Sequence, residues 1–328
     1  MADTRVSFAP WQQSVLDNAL AALAEGRLAH ALLLVGPANM GKGAVAEILA
    51  QRLLCSSPAA DGLACGKCRS CLLYAAKTHG DIQRVSFELN EKGDKLRTEI
   101  SVDQIRRLGQ WFSLTPQLGG AQVALIEPAD GMNVAASNAL LKTLEEPSAN
   151  RFLLIVTSRP GRLPATIRSR CQRLEFRIPA RGEAQAWLRG LGHADAQIEV
   201  ALDAARGQPG LAAEWLGNGG LQLRRDVVAD LNAVGSGRMS PIEQAQRWLA
   251  DDRGELRLRF AADLALSAAS RQVGASAKEP GGLTMPTDFP KLSAWFDAIN
   301  RTREQLRAPI RNDLVLAGLL REWRTMFQ

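Results

Sequence analysis

Short apolar runs separated by amphipathic stretches fill the first half of the chain. Ala31–Val35, Ile82–Val85, Val123–Ile126 and Phe152–Val156 read as buried strands, and Gln172–Phe176 alternates as a further one. Between the runs, apolar residues return at helical spacing. Val45, Ile48, Leu49 and Leu53 give one helix an apolar face, and Ser101 with Gln104 three residues on forms a capping box that opens a helix through Trp111. A further helix covers Asn133 to Leu144 and stops before Pro147, and a short one covers Ala165 to Arg168. Strands alternating with helices from Leu28 to Phe176 predict an α/β domain built on a mainly parallel sheet.

After Pro179 the strand runs disappear, and Ala, Leu, Gln, Arg and Trp dominate. Turns at Gly190–Gly192 and Gly207–Gly210 separate helical stretches, and Ser240-Pro-Ile-Glu243 carries the N-cap, first-turn Pro and capping-box Glu of a helix start. The division predicted is 1–177 for the sheet domain, 178–219 for a small helical domain and 220–328 for a larger all-α domain. Gly274 to Pro290, rich in Gly, Pro and Ser, is expected to be a loop between two long helices.

Composition narrows the classes. The 328 residues are 46% hydrophobic and 23% charged, enough to bury cores in two or three domains. Lys plus Arg 40 against Asp plus Glu 34 leaves +6, which permits an anionic partner without requiring one. No apolar run approaches the roughly 20 residues of a membrane span, so the expectation is a cytoplasmic chain with no membrane partner. Of the five cysteines, four crowd between Cys55 and Cys71, a spacing that suits a metal in a reducing compartment better than a disulfide framework.

The segment GPANMGKG, Gly36 to Gly43, fits the GxxxxGK phosphate loop and lies between a predicted strand and a predicted helix. Gly36, Gly41 and Lys42 are its cofactor-binding candidates: backbone N–H groups at a helix N-terminus cradle an anion, and the lysine reaches toward terminal phosphates. The next position should carry the hydroxyl that binds Mg²⁺, and it is Gly43. The strand ending at Ile126 runs into Glu127 and Pro128, so Glu127 is available for the metal while Pro128 offers nothing to polarise a water. Both defects point to weak or no nucleotide binding and no hydrolysis.

Cys55, Cys65, Cys68 and Cys71 are spaced C-x9-C-x2-C-x2-C. Four soft thiolates suit tetrahedral Zn²⁺ in a closed site that folds the insertion between helix and strand. His79, nearby, is surplus to that set and reads as a surface or capping residue; Lys67 and Arg69 read as solvated charges, and Cys171 as a small core residue. From Arg151 to Arg181 there are eight arginines against one acid, Glu175. Arg170, directly after the short helix, is held at an element boundary, and its planar, permanently charged fork suits a phosphoryl transition state outside its own site.

Pro10-Trp-Gln12, the run from Arg27 to His30, GPANMGKG, the four cysteines, SNALLKTLEEP from Ser137 to Pro147 and Ser169-Arg-Cys171 together resemble the bacterial clamp-loader family of the AAA+ class, over about residues 8 to 178. The degraded nucleotide site is similar to that of members that do not hydrolyse ATP. The resemblance implies a sheet domain, a three-helix lid and a helical collar through which five subunits form an open ring. It implies gamma/tau ATPase and delta subunits as partners, with the sliding clamp and primed DNA reached through the complex, and ATP held by partner subunits. In that setting Arg170 is the arginine finger acting in trans, the chain hydrolyses nothing itself, and it is part of a DNA polymerase holoenzyme. The resemblance also places Gly210 where an active lid carries a sensor Arg, and Thr157 at a sensor position. Two other readings stay open: a self-sufficient P-loop ATPase of the gamma/tau kind, and a zinc-knuckle nucleic-acid binder whose arginines grip phosphate.

Overall fold

The computed structural model describes residues 8–90, 92–272, 282–284, 288–306 and 311–327. They fall into two compact units, one of residues up to Leu191 together with Gly207–Leu211, the other of Gly192–Arg206 with Ala212 onward.

The first unit runs α1 (Pro10–Ala24), β1 (Ala31–Val35), α2 (Lys42–Leu54), α3 (Arg69–Ala75), β2 (Ile82–Val85), α4 (Val102–Phe112), β3 (Gln122–Ile126), α5 (Val134–Glu145), β4 (Arg151–Thr157), α6 (Ala165–Arg170), β5 (Gln172–Glu175) and α7 (Arg181–Gly190). The strands form one parallel sheet in the order β2-β3-β4-β1-β5. Because strand side chains alternate between faces, each apolar run feeds two cores. Ala31, Leu33, Ala124, Ile126, Leu153 and Ile155 pack with α4, α5 and α6, while Leu32, Leu34, Val123, Leu125, Leu154 and Val156 pack with α1 and α2. A sheet buried on both faces needs such runs.

Local chemistry sets the helix starts. Ser101 Oγ accepts the amide of Gln104, whose own side-chain carbonyl oxygen takes the Ser101 amide at 2.9 Å, and Asn133 caps α5 by accepting from the Ala136 amide. Two helices escape the sequence pattern: α1, and α3 at the end of the cysteine run. α6 continues two residues past its expected end, because the Arg170 guanidinium bonds back to the Thr166 carbonyl at 3.1 Å and closes the last turn.

The second unit comprises α8 (Asp195–Ala204), most of α9 (Pro209–Gly217), α10 (Gly220–Gly235), α11 (Pro241–Trp248), α12 (Gly254–Gln272), α13 (Phe289–Gln305) and α14 (Asn312–Thr325). Helix α14 packs on α10, α11 and α13, and α12 on α10 and α13. Large rings fill the interior: Trp295 stacks on Trp323 at 4.5 Å between centroids, and Trp215 meets Phe260 edge-on at 4.8 Å. Buried indole N–H groups need acceptors; Trp295 and Trp323 find the carbonyls of Leu319 and Leu231, and Trp248 finds Asp230.

Three expectations change here. The turn at Gly207–Gly210 is shorter, because Gly207 takes the left-handed conformation and Pro209 opens α9, leaving Gly210 in a helical first turn. Ser240 caps α11 in position but its hydroxyl makes no capping bond. Phe289 and Pro290 belong to α13, whereas most of the expected loop before them lies outside the described residues. No helix among the described residues is long and apolar enough to cross a membrane.

Candidate functional site

The phosphate-loop residues lie at the carboxyl end of β1, where open parallel sheets bind ligands. Gly41 is the N-cap of α2 at φ 79, a left-handed conformation that glycine tolerates and other residues resist. A side chain there would run into the Gln12 amide, whose Nε2 donates to the Met40 carbonyl at 3.1 Å, as the Trp11 indole does at 3.3 Å. This is the job of the Pro10-Trp-Gln12 motif: it grips the loop from α1. Gly36 is equally constrained, since a Cβ would stand 2.4 Å from the Phe176 carbonyl oxygen.

Lys42 is buried, and its ammonium turns inward. Nζ donates to Gly36 O at 3.0 Å, Pro37 O at 2.6 Å and Ser158 Oγ at 3.0 Å, using all three of its protons. Burial pulls its pKa down to about 8, with Glu127 and Asp130 opposing the fall. Glu127 is pushed up by burial against the pull of Lys42. Its carboxylate occupies the place where residue 43 would extend a side chain: a Cβ on Gly43 would meet the two Glu127 oxygens at 2.5 and 2.7 Å. Beside the loop, a Cβ on Gly210 would fall 1.6 Å from the Asn39 carbonyl oxygen, so the first turn of α9 touches the loop backbone and no arginine fits at that position.

Sequence reasoning missed Asp130, which stands just past Pro128. Its carboxylate accepts from the Thr157 hydroxyl at 2.7 Å and the Ser158 amide at 3.3 Å, and pairs with Arg159 at 3.7 Å. Thr157 is buried and bonded to Asp130 at the end of β4. Only the long-range fold brings these residues together, so no spacing signal could have found them.

Arg170 ends α6, and its guanidinium pairs with Glu145, the last residue of α5, at 2.8 Å. The two motifs SNALLKTLEEP and Ser169-Arg-Cys171 therefore meet in one exposed ion pair. Exposed pairs of this kind contribute about 0 to 1 kcal/mol. The rest of the basic run is dispersed: Arg151 bonds the carbonyls of Phe112, Ala149 and Leu114, and Arg177 pairs with Glu175. Cys171 is buried, as expected of a small core residue.

The four clustered cysteines converge at the other end of α2. Cys55 is the C-cap of α2, Cys68 the N-cap of α3, and Cys71 lies in the first turn of α3. The four Sγ atoms lie within 4.8 Å of one another, with Cys55 3.7 Å from Cys65 and 3.9 Å from Cys68, and Cys65 4.0 Å from Cys71. A tetrahedral ion with Zn–S bonds of about 2.3 Å requires S···S edges of about 3.8 Å. Backbone amides of residues 65, 68 and 71 donate to the sulfurs of Cys55, Cys65 and Cys68, an arrangement that favours thiolates. Geometry and donor set both fit structural zinc, which would supply a cross-link between the ends of the insertion. Lys67 and Arg69 are exposed. His79 is not: it is buried, hydrogen-bonded through both ring nitrogens, and belongs to the interior behind the cysteines.

A family model described as DNA polymerase III, delta subunit, matches residues 11–180. The chain is similar to DNA polymerase III subunit delta' of Pseudomonas aeruginosa, 42% identical over 241 residues that cover 73% of this chain and 70% of that protein. It is similar also to subunit delta' of Escherichia coli, 33% identical over 322 residues, 95% of this chain and 93% of that one. The chain belongs to the delta-prime family of bacterial clamp-loader subunits. The likeness to DNA polymerase III subunit tau of Bacillus subtilis is narrower, 31% identical over 166 residues, 51% of this chain and 28% of that protein. Within the family, the chain has an AAA+-like parallel-sheet core with flanking helices and a cysteine cluster, followed by a helical region.

Proposed function

We propose that the chain is the nucleotide-silent member of a clamp-loader ring, lending Arg170 to the ATP site of a neighbouring gamma/tau subunit while the sliding clamp is placed on primed DNA. In this reading residues 1–177 are the AAA+ domain, 178–219 the lid and 220–328 the collar that joins the ring. The observation that carries it is the Glu127 carboxylate standing where the metal-binding hydroxyl of a working phosphate loop belongs. With Gly43 at that position and Lys42 bonded to its own loop, the pocket has neither the hydroxyl that binds the metal nor a free cation for a triphosphate.

Arg170 is suited to the complementary role. It sits on a short helix braced against the sheet, its charge is permanent, and its partner Glu145 is exposed enough to release it at small cost. Arginine fingers accelerate hydrolysis about 10³- to 10⁵-fold in well-studied NTPases. The test is ATP turnover by the chain alone, by the partner ATPase alone, and by complexes assembled with either the wild-type chain or its Arg170→Ala variant. The chain alone should be inactive, and Arg170→Ala should leave assembly intact while turnover at the adjoining site falls by at least about 10³. Unchanged turnover removes the finger; brisk hydrolysis by the lone chain favours a self-sufficient ATPase; strong salt-dependent DNA binding by the lone chain favours a nucleic-acid binder.

A further inference from the structure

The buried polar groups behind the cysteine cluster form an unbroken line of hydrogen bonds that the nucleotide chemistry does not use. Ser70 Oγ stands 2.6 Å from the Leu54 carbonyl and 2.7 Å from His79 Nε2. The Asp81 amide donates to His79 Nδ1 at 3.0 Å. An amide can only donate, so Nδ1 is the acceptor of a neutral ring and the proton sits on Nε2. Nε2–H then donates to Ser70, and the Ser70 hydroxyl donates to the Leu54 carbonyl. At the far end, the Asp81 carboxylate accepts the amides of Gln117 at 2.7 Å and Leu118 at 2.9 Å, in the loop before β3. The Asp81 carbonyl takes the amide of Val123, the first bond of the β2–β3 edge.

The line begins at the metal ligands. Leu54 precedes Cys55, and Ser70 precedes Cys71, so the Ser70 hydroxyl ties the residue before the last ligand to the carbonyl of the residue before the first. A second tie runs alongside: the Tyr74 hydroxyl donates to the Glu47 carbonyl at 2.9 Å and also to its carboxylate, which holds Arg84 of β2 through two bonds of 2.7 Å. Helix α3 is thus fastened to α2 and to the edge strand.

We propose that Ser70, His79 and Asp81 are positioning residues that couple metal occupancy of the cysteine site to the order of the β2–β3 edge and the loop at Gln117–Leu118. The proposal rests on the zinc reading of the four cysteines. The segment from Ser56 to Lys67 has little core of its own, so a metal cross-link between Cys55 and Cys71 adds to the Tyr74–Glu47 tie in holding Leu54 and Ser70 within hydrogen-bond reach. Once that reach is lost, His79 loses its acceptor and Asp81 its fixed neighbour. Linkage makes the effect reciprocal: groups that are ordered by the metal also slow its departure.

Hydrogen exchange of the full-length chain before and after zinc chelation tests this, with zinc content measured first. The amides of Asp81, Gln117 and Leu118 should exchange on the order of tenfold faster after chelation, while that of Leu154 in the sheet centre stays protected. Ser70→Ala should hasten zinc transfer to a chromogenic chelator about 10- to 100-fold, the usual range for groups supporting metal ligands, and Ser70→Thr should restore the slow rate. A folded chain purified without metal removes both the site and the relay. One zinc per chain with the three amides unmoved, or with Leu154 rising equally, removes the relay alone, as does release from Ser70→Ala at the wild-type rate.

Discussion

The two ends of α2 carry the two ligand motifs of this chain, and they differ in what their charged groups face. At the amino end, the phosphate loop keeps its backbone shape, with Gly36 and Gly41 in place, but its centre is filled from within by the Lys42 ammonium and the Glu127 carboxylate. At the carboxyl end, the four sulfurs are arranged as a tetrahedral ion requires, and backbone amides point at them. If the loop is nucleotide-silent as proposed, a fold can retain a binding motif as architecture, and one helix displays such a motif at one end and a convergent ligand set at the other. The distinguishing mark is where the ligating groups aim, inward at the protein's own carbonyls or together at a common centre.

The largest expected effect breaks the carboxyl end. Cys71→Ser replaces a thiolate by a poor ligand, and the chain should lose its zinc and more than about 3 kcal/mol of stability, the range reserved for loss of a metal or a comparable anchor. Zinc analysis and urea unfolding of the two proteins measure it. An unchanged urea midpoint would mean that the four cysteines hold no ion that stabilises the fold.

A smaller effect probes the amino end. Gly43→Thr restores the missing hydroxyl, but its Cβ would stand 2.5 and 2.7 Å from the Glu127 oxygens. The carboxylate must swing away from Lys42, so the substitution should cost about 1 to 3 kcal/mol, as overpacking does, without creating ATP hydrolysis. Adding Glu127→Ala should recover most of that loss, which denaturation of the single and double variants reads directly. ATP turnover by Gly43→Thr alone would show that one hydroxyl was all the pocket lacked.

Much of this is legible in the sequence, and the parts that are not share a cause. The strand runs, the capping box at Ser101 and the GxxxxGK and cysteine spacings are local signals, and local structure follows them. The turn of Lys42 toward Ser158, the grip of Trp11 and Gln12 on Met40, and the Asp130–Thr157 bond join residues far apart in the chain. His79 escapes for a related reason: a lone histidine in a polar stretch resembles a surface residue until Ser70 and Asp81 are seen on either side of it. Helix α3 is hidden because its 7 residues are too few to display an apolar period, and Cys68 and Cys71 at its start read first as metal ligands.

The smallest effect concerns charge alone. Lysine ordinarily titrates at 10.5, and burial brings Lys42 down to about 8 in the folded chain. Below pH 8 both folded and unfolded chains hold this proton, so the group adds no slope there. Between about 8 and 10.5 the unfolded chain binds more protons than the folded one, and stability therefore rises with pH across that window. The gain is under about 2 kcal/mol once solvent screening is allowed for. Lys42→Met removes the titration, so its urea midpoint should lack the rise that the wild-type chain shows from pH 8 to pH 10. Parallel profiles for the two proteins would mean that Lys42 keeps its proton throughout, held by the three acceptors it has turned to.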